Sequence, residues 1–151
     1  MNIQIDKELI FEDLSFKTYE DALKFISINL LERSYVKDSY YESLIKREEV
    51  FPTGIDFGTM GIAIPHTDSE HVNKSTLVLI SLKDPGELNS MEDENIKVDI
   101  NLICGIVLKE KEHQAVFLSE LMCLFSEAEV AHKLYSGTKE EKIEILNKLN
   151  K

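Results

Sequence analysis

An α/β sandwich is the fold class this sequence predicts, on three observations. Two long, continuous, β-branched runs, Thr76–Leu82 and Val98–Leu108, read as strands buried on both faces. Apolar residues recur at helical spacing from Thr18 to Leu31. The same spacing returns from Glu112 to Asn150, so helices stand before and after the strands, as in a sheet covered by helices.

Taken in order, the opening Ile3–Leu14 is mixed, and Leu9–Phe11 is its best strand candidate. Thr18 followed by Asp21 resembles a capping box, a hydroxyl N-cap with a carboxylate three residues on. Ala22, Leu23, Phe25, Ile26, Leu30 and Leu31 form the apolar stripe of the helix that follows. A second helix is expected from Asp38 to Glu49, with Tyr41, Leu44 and Ile45 inward. Phe51-Pro52-Thr53-Gly54 ends it, since proline cannot continue a helix and glycine admits unusual backbone angles. A loop punctuated by Gly54, Gly58 and Gly61 leads to a short apolar strand, Ile62-Ala63-Ile64, which stops at Pro65-His66. Between the long runs, Lys83–Lys97 holds Pro85-Gly86 and many charges, and reads as a loop. Helices at about Glu112–Phe125, Glu127–Tyr135 and Lys139–Asn150 close the chain, with a break at Gly137. No repeat, linker or low-complexity stretch interrupts it, so one domain over residues 1–151 is expected.

Composition narrows the function. The 151 residues are 43% hydrophobic and 30% charged, ordinary for a globular domain that needs no disulfide or metal to fold. Cys104 and Cys123 belong to no CxxC pair, and both are expected as reduced core thiols. The start has neither a basic segment nor an apolar core, and no apolar stretch is long enough to cross a bilayer. A cytoplasmic protein without membrane insertion is therefore expected. A net charge of −11 argues against a nucleic-acid partner, which calls for a positive surface. It suits brief encounters with a basic protein, and equally suits plain solubility. There is no GxxxxGK[ST], GxGxxG or GxSxG pattern, so neither a bound nucleotide nor an activated serine is expected.

The segment Gly61-Ile62-Ala63-Ile64-Pro65-His66-Thr67-Asp68 is the strongest candidate for chemistry. Pro65 stiffens the backbone and biases Ile64 toward an extended shape, so His66 stands on a rigid base at a strand end. A neutral imidazole is a nucleophile and can carry a phosphoryl group as a phosphoramidate. A loop histidine bonded to a backbone carbonyl is the plainer reading. His71, with Asp68 and Glu70 nearby, could suggest a metal site, but the spacing is not HExxH and no metal is expected. His113, at a helix start, either meets an anion there or is an exposed first-turn side chain. Arg47 could reach a phosphate or pair with a neighbouring carboxylate.

With these residues in view, the chain resembles the enzyme IIA domain of the bacterial phosphoenolpyruvate-dependent sugar phosphotransferase system. The resemblance is to the fructose/mannitol superfamily, nearest its galactitol-type branch. It rests on Lys46-Arg47-Glu48-Glu49-Val50-Phe51-Pro52-Thr53-Gly54, on Gly61–Asp68, and on Glu70-His71-Val72, in that order and at similar separation. It implies a three-layer α/β/α sandwich around a mixed β-sheet. It also implies that His66 accepts a phosphoryl group from HPr and passes it to a cysteine or other acceptor on enzyme IIB. Enzyme IIB then phosphorylates sugar entering through the membrane enzyme IIC, and the IIA step uses no cofactor. Arg47 matches the family's arginine beside the active histidine. The family's second histidine falls at Gln114 here, one residue from His113, so either side chain could meet the phosphate.

Phosphoryl transfer is governed by positioning and by donors aimed at the equatorial oxygens, a part Arg47, Thr53, Thr67, His113 and Gln114 could take. An apolar docking patch is expected at Phe57, Met60 and Ile62, with acidic residues at its rim. Two other readings stand beside this one. A phosphorylated module that controls a protein partner also needs His66, and a metal-dependent hydrolase would use His66, Asp68 and His71.

Overall fold

Thr18 caps its helix as its spacing predicts, its Oγ1 accepting the Asp21 N–H at 3.1 Å. Thr138 makes the full reciprocal box with Glu141 at the start of the last helix. The computed structural model describes residues 3–150. Its elements run β1 (Ile10–Leu14), α1 (Tyr19–Glu32), α2 (Tyr40–Val50), β2 (Gly54–Asp56), β3 (Gly61–Ala63), β4 (Thr76–Asn89), β5 (Lys97–Val107), α3 (Gln114–Ser126), α4 (Ala128–Ser136) and α5 (Lys139–Asn147).

The strands form one mixed sheet in the order β1-β4-β5-β3-β2. β1 runs parallel to β4 and β3 parallel to β5, while β4–β5 and β2–β3 are antiparallel. Alternate residues of β4 serve opposite faces. Leu77 and Leu79 pack with Phe117, Leu121 and Phe125 of α3 and with Leu134 and Ile145 of α4 and α5. Val78, Ile80 and Leu82 pack with Leu23, Ile26 and Leu30 of α1 and with Tyr40 and Leu44 of α2. The expected three-layer α/β/α sandwich is therefore present, with a separate core on each face of the sheet. Phe117 and Phe125 are fully buried, each worth about 1.5–3 kcal/mol relative to exposure.

Four details depart from expectation. Lys83–Lys97 is not a loop throughout: after a register shift between Ser81 and Gly86, pairing with β5 resumes from Gly86↔Ile100 to Asn89↔Lys97. Pro85 falls in that shift, where its missing N–H costs no ladder bond. β2 was expected as loop, and it pairs Gly54↔Ala63 through Asp56↔Gly61. Gly58 (φ +90°) turns the chain between β2 and β3, with its N–H on Asp56 Oδ1 at 2.8 Å. In α2, Tyr40 and not Tyr41 is the buried tyrosine. Cys104 is buried as expected, whereas Cys123 lies on the exposed side of α3.

Lys142 of α5 is a buried cation. Its ammonium donates to Glu12 Oε1 and Ser81 Oγ, both at 3.2 Å, and to the Tyr135 carbonyl at 3.4 Å. Three protons meet three acceptors, which offsets the desolvation cost and ties α5 to β1 and β4.

Candidate functional site

β3 delivers His66. The extended chain beyond it is held on both sides, since Ile64 N–H donates to the Thr53 carbonyl at 3.2 Å and Pro65 accepts from Ile106 N–H at 3.0 Å. His66 is only 5% exposed, and its Nδ1 lies 2.8 Å from the Ile64 carbonyl. A carbonyl can only accept, so Nδ1 carries the proton and Nε2 keeps a free lone pair. The plain reading of this histidine, bonded to a backbone carbonyl, and the reactive one are thus the same arrangement.

Burial pushes the His66 pKa below the ordinary imidazole value of 6.5. The Ile64 hydrogen bond opposes that shift, nearby Arg47 adds to it, and Asp68 opposes it. The neutral imidazole therefore persists to lower pH than in a free histidine. The acid limb of phosphoryl acceptance against pH is expected below 6.5 in single-turnover measurements, and a limb above that value would contradict the burial argument. The same shift bears on stability. An unfolded chain takes up the proton first as pH falls through 6.5, so this residue's contribution is intact above that value and is lost below it.

Arg47 comes from the last turn of α2. Its Nη1 approaches Asp68 Oδ1 at 3.4 Å and its guanidinium lies 5.5 Å from the Phe51 ring centroid. Its Nε is buried and has no hydrogen-bond partner. Such an orphan donor is costly unless an anion completes it. His66 and Arg47 line one cleft of about 480 Å³ together with Phe51, Thr53, Met91 and Leu118.

The other expected residues lie as follows. Thr53 is buried in the cleft wall, but its hydroxyl proton goes to Glu48 Oε1 at 2.7 Å. Thr67 is buried beside His66, with its hydroxyl closely paired to Ser43 Oγ of α2. Gln114 Nε2 donates to the Thr67 carbonyl at 3.3 Å, so the amide reaches the loop that carries His66. His113 is exposed at the N-cap position of α3 and is not among the residues lining the cleft. His71 turns elsewhere, Nδ1 to Ser39 Oγ at 2.7 Å and Nε2 to Glu70 at 3.5 Å. Among the described residues, no three His, Cys, Asp or Glu side chains group so that they could hold a metal ion.

The residues expected to form a docking patch pack inward instead. Ile62 is wholly buried in β3, and Phe57 and Met60 pack against the core, Phe57 edge-on to Phe125 at 6.0 Å. The exposed apolar side chains at the cleft are Val50, Phe51 and Met91, with Glu92 and Glu94 in the same wall.

Comparison with known proteins bears on this arrangement. Residues 3–149 match the family model described as "Phosphoenolpyruvate-dependent sugar phosphotransferase system, EIIA 2". The chain belongs to this EIIA family. A galactitol-specific EIIA component of Escherichia coli is 30% identical over 112 residues, 74% of this chain and 72% of that one. A mannitol-specific enzyme IIA component of Geobacillus stearothermophilus is 30% identical over 150 residues, 97% of each chain. In fold, the chain is similar to the complex of enzyme IIAMTL and phosphorylated enzyme IIBMTL from Escherichia coli, with a TM-score of 0.79 at 24% identity, covering 97% of this chain and 99% of that one. EIIA components are phosphotransferase components that carry phosphoryl groups on histidine.

Two EIIA residues at this site went unread in the sequence. Ser43 stands four residues before Arg47 on α2, a spacing that places both on one helix face. Glu48 directly follows Arg47 in the motif, yet is 9% exposed and fully engaged. Its neighbourhood to Arg47 was the available signal.

Proposed function

We propose that this EIIA chain takes a phosphoryl group from phospho-HPr onto His66 Nε2 and passes it to enzyme IIB, in the cytoplasm, during sugar uptake through the membrane enzyme IIC. One observation carries the reading: a buried His66 whose Nδ1–H is spent on the Ile64 carbonyl leaves Nε2 as its unprotonated nitrogen, in a cleft with an unpaired Arg47 N–H. In the transfer, the P–N bond of the donor breaks as a bond from Nε2 to phosphorus forms, and Nδ1 keeps its proton throughout. Negative charge spreads over the three equatorial oxygens, where the Arg47 Nε–H stabilises it. Transfer to IIB reverses the roles, with the acceptor attacking phosphorus and Nε2 leaving.

Val50, Phe51 and Met91 supply an exposed apolar face for both partners, and Glu92 and Glu94 put negative charge at its rim. The 30% identical relatives are sugar-specific EIIA components, which favours uptake over a purely regulatory role. The neighbouring complex, named for phosphorylated enzyme IIB, supports IIB as the acceptor.

Incubation with phosphoenolpyruvate, enzyme I and HPr is expected to label the protein with acid-labile phosphate that a cognate IIB then removes. Folded protein that takes no label would overturn the proposal. Label that no IIB withdraws would leave the regulatory module as the better reading.

A further inference from the structure

We infer that Glu48 is a positioning residue for the phosphoryl acceptor, fixing the tautomer of His66 through a relay of hydrogen bonds; this deepens the reading of His66 as the acceptor and rests on it. Glu48 lies on the last turn of α2, next to Arg47, and is almost fully buried. Its Oε2 accepts the Thr53 N–H at 2.7 Å, and its Oε1 accepts the Thr53 hydroxyl at 2.7 Å and the Tyr19 hydroxyl at 3.4 Å. Both carboxylate oxygens therefore face donors. Thr53 in turn accepts the Ile64 N–H at 3.2 Å through its carbonyl, and the Ile64 carbonyl accepts the His66 Nδ1–H at 2.8 Å.

Each residue of this chain is gripped on two sides. Glu48 holds Thr53 by its N–H and hydroxyl, Thr53 holds Ile64 by its N–H, and Ile64 holds the ring. The end of α2, which carries Arg47, is thereby kept in register with the end of β3, which carries His66. Remove the carboxylate and the Thr53 turn loses both side-chain anchors. The Ile64 carbonyl is then held only from the β5 side, by the Ile106–Pro65 bond and the pairing of β3, and its grip on Nδ1–H loosens. An amide substitutes only in part. Its oxygen can accept the Thr53 N–H, while its NH₂ must face hydroxyls that have to rotate from donor to acceptor.

The test uses Glu48→Gln, Glu48→Ala and Thr53→Val in the full chain, with Leu134→Ala as a destabilised control in α4, a helix that supplies no hydrogen bond of the relay. Two quantities are read. One is the His66 tautomer ratio from ¹⁵N shifts of the ring, which requires no phosphoryl donor. The other is the single-turnover rate of acceptance from phospho-HPr. Wild type and Leu134→Ala are expected to show the Nδ1–H tautomer and equal rates. Glu48→Ala is expected to show mixed tautomers and acceptance slower by roughly 10- to 100-fold, the scale set by small misplacements of a reacting group. Glu48→Gln and Thr53→Val are expected to fall between, and they carry the test if Glu48→Ala does not fold. A wild-type tautomer ratio or a wild-type rate in folded Glu48 variants would overturn the inference. Wild type that accepts no phosphoryl group would sink the acceptor reading alone, and the tautomer ratios would still decide the role of Glu48.

Discussion

His66→Ala is expected to abolish acid-labile labelling by phospho-HPr, a loss of at least about 10⁴-fold, while the fold survives. The size follows from what is removed. The variant lacks the nucleophilic nitrogen itself, and no other imidazole lines the cleft to replace it. The structural cost is smaller. The Ile64 carbonyl loses its Nδ1–H partner and a modest void opens, together about 1–3 kcal/mol. Circular dichroism and a thermal melt check that the protein is folded, and label on folded His66→Ala would refute the assignment. In parallel, His113→Ala is expected to keep nearly all activity, because that side chain is exposed and off the cleft wall.

The largest effect on stability is expected at Gly61. A Cβ placed there would stand 1.8 Å from the Asp99 carbonyl oxygen and 2.9 Å from its carbon. Both are backbone atoms of β5, which cannot swing aside like a side chain. Gly61→Ala must therefore part β3 from β5, where Ile62 pairs with Leu102, at a cost of about 3 kcal/mol or more. Because β3 runs directly into His66, the displaced strand should also slow acceptance in whatever protein remains folded. Gly58→Ala is the informative contrast. Nothing lies within 4 Å of a Cβ there, so only the cost of holding φ near +90° remains, about 1–2 kcal/mol. Denaturant unfolding separates the two, and a Gly61→Ala variant within 1 kcal/mol of wild type would show that the strands do not approach so closely.

Part of this fold was legible in the sequence. Thr76–Leu82 and Val98–Leu108 were legible because strands covered on both faces are apolar without a break. The continuation of β4 past Leu82 was not, because Lys83–Glu87 is exposed and its charges look the same on a solvated ribbon as on a loop. Tyr41 in place of Tyr40 is a one-residue error of phase, which periodicity alone does not resolve. At the candidate site, local pattern singled out His66 and Arg47, which the structure brings into one cleft. Met91, Glu92 and Glu94 were not, because they reach the cleft only through the pairing of Ser90 with Gly54 and the Met91 N–H bond to the Gly54 carbonyl. Glu48 was hidden for a different reason. A carboxylate in a charged helical stretch reads as solvated, and only the donors that the fold brings from Thr53 and Tyr19 make its burial tolerable.

The parallel pairing of β3 with β5 has a kinetic consequence. Gly61 donates to Asn101, 40 residues further along, so the strand that presents His66 is held by contacts between segments far apart in sequence. The caps of α1 and α5, by contrast, are closed by residues three apart in sequence and call for no long-range contact. Competence and completion therefore coincide. A copy in which β3 has not yet paired with β5 has no cleft around His66, and on the proposed function it cannot draw phosphoryl groups from a donor before its own fold is finished.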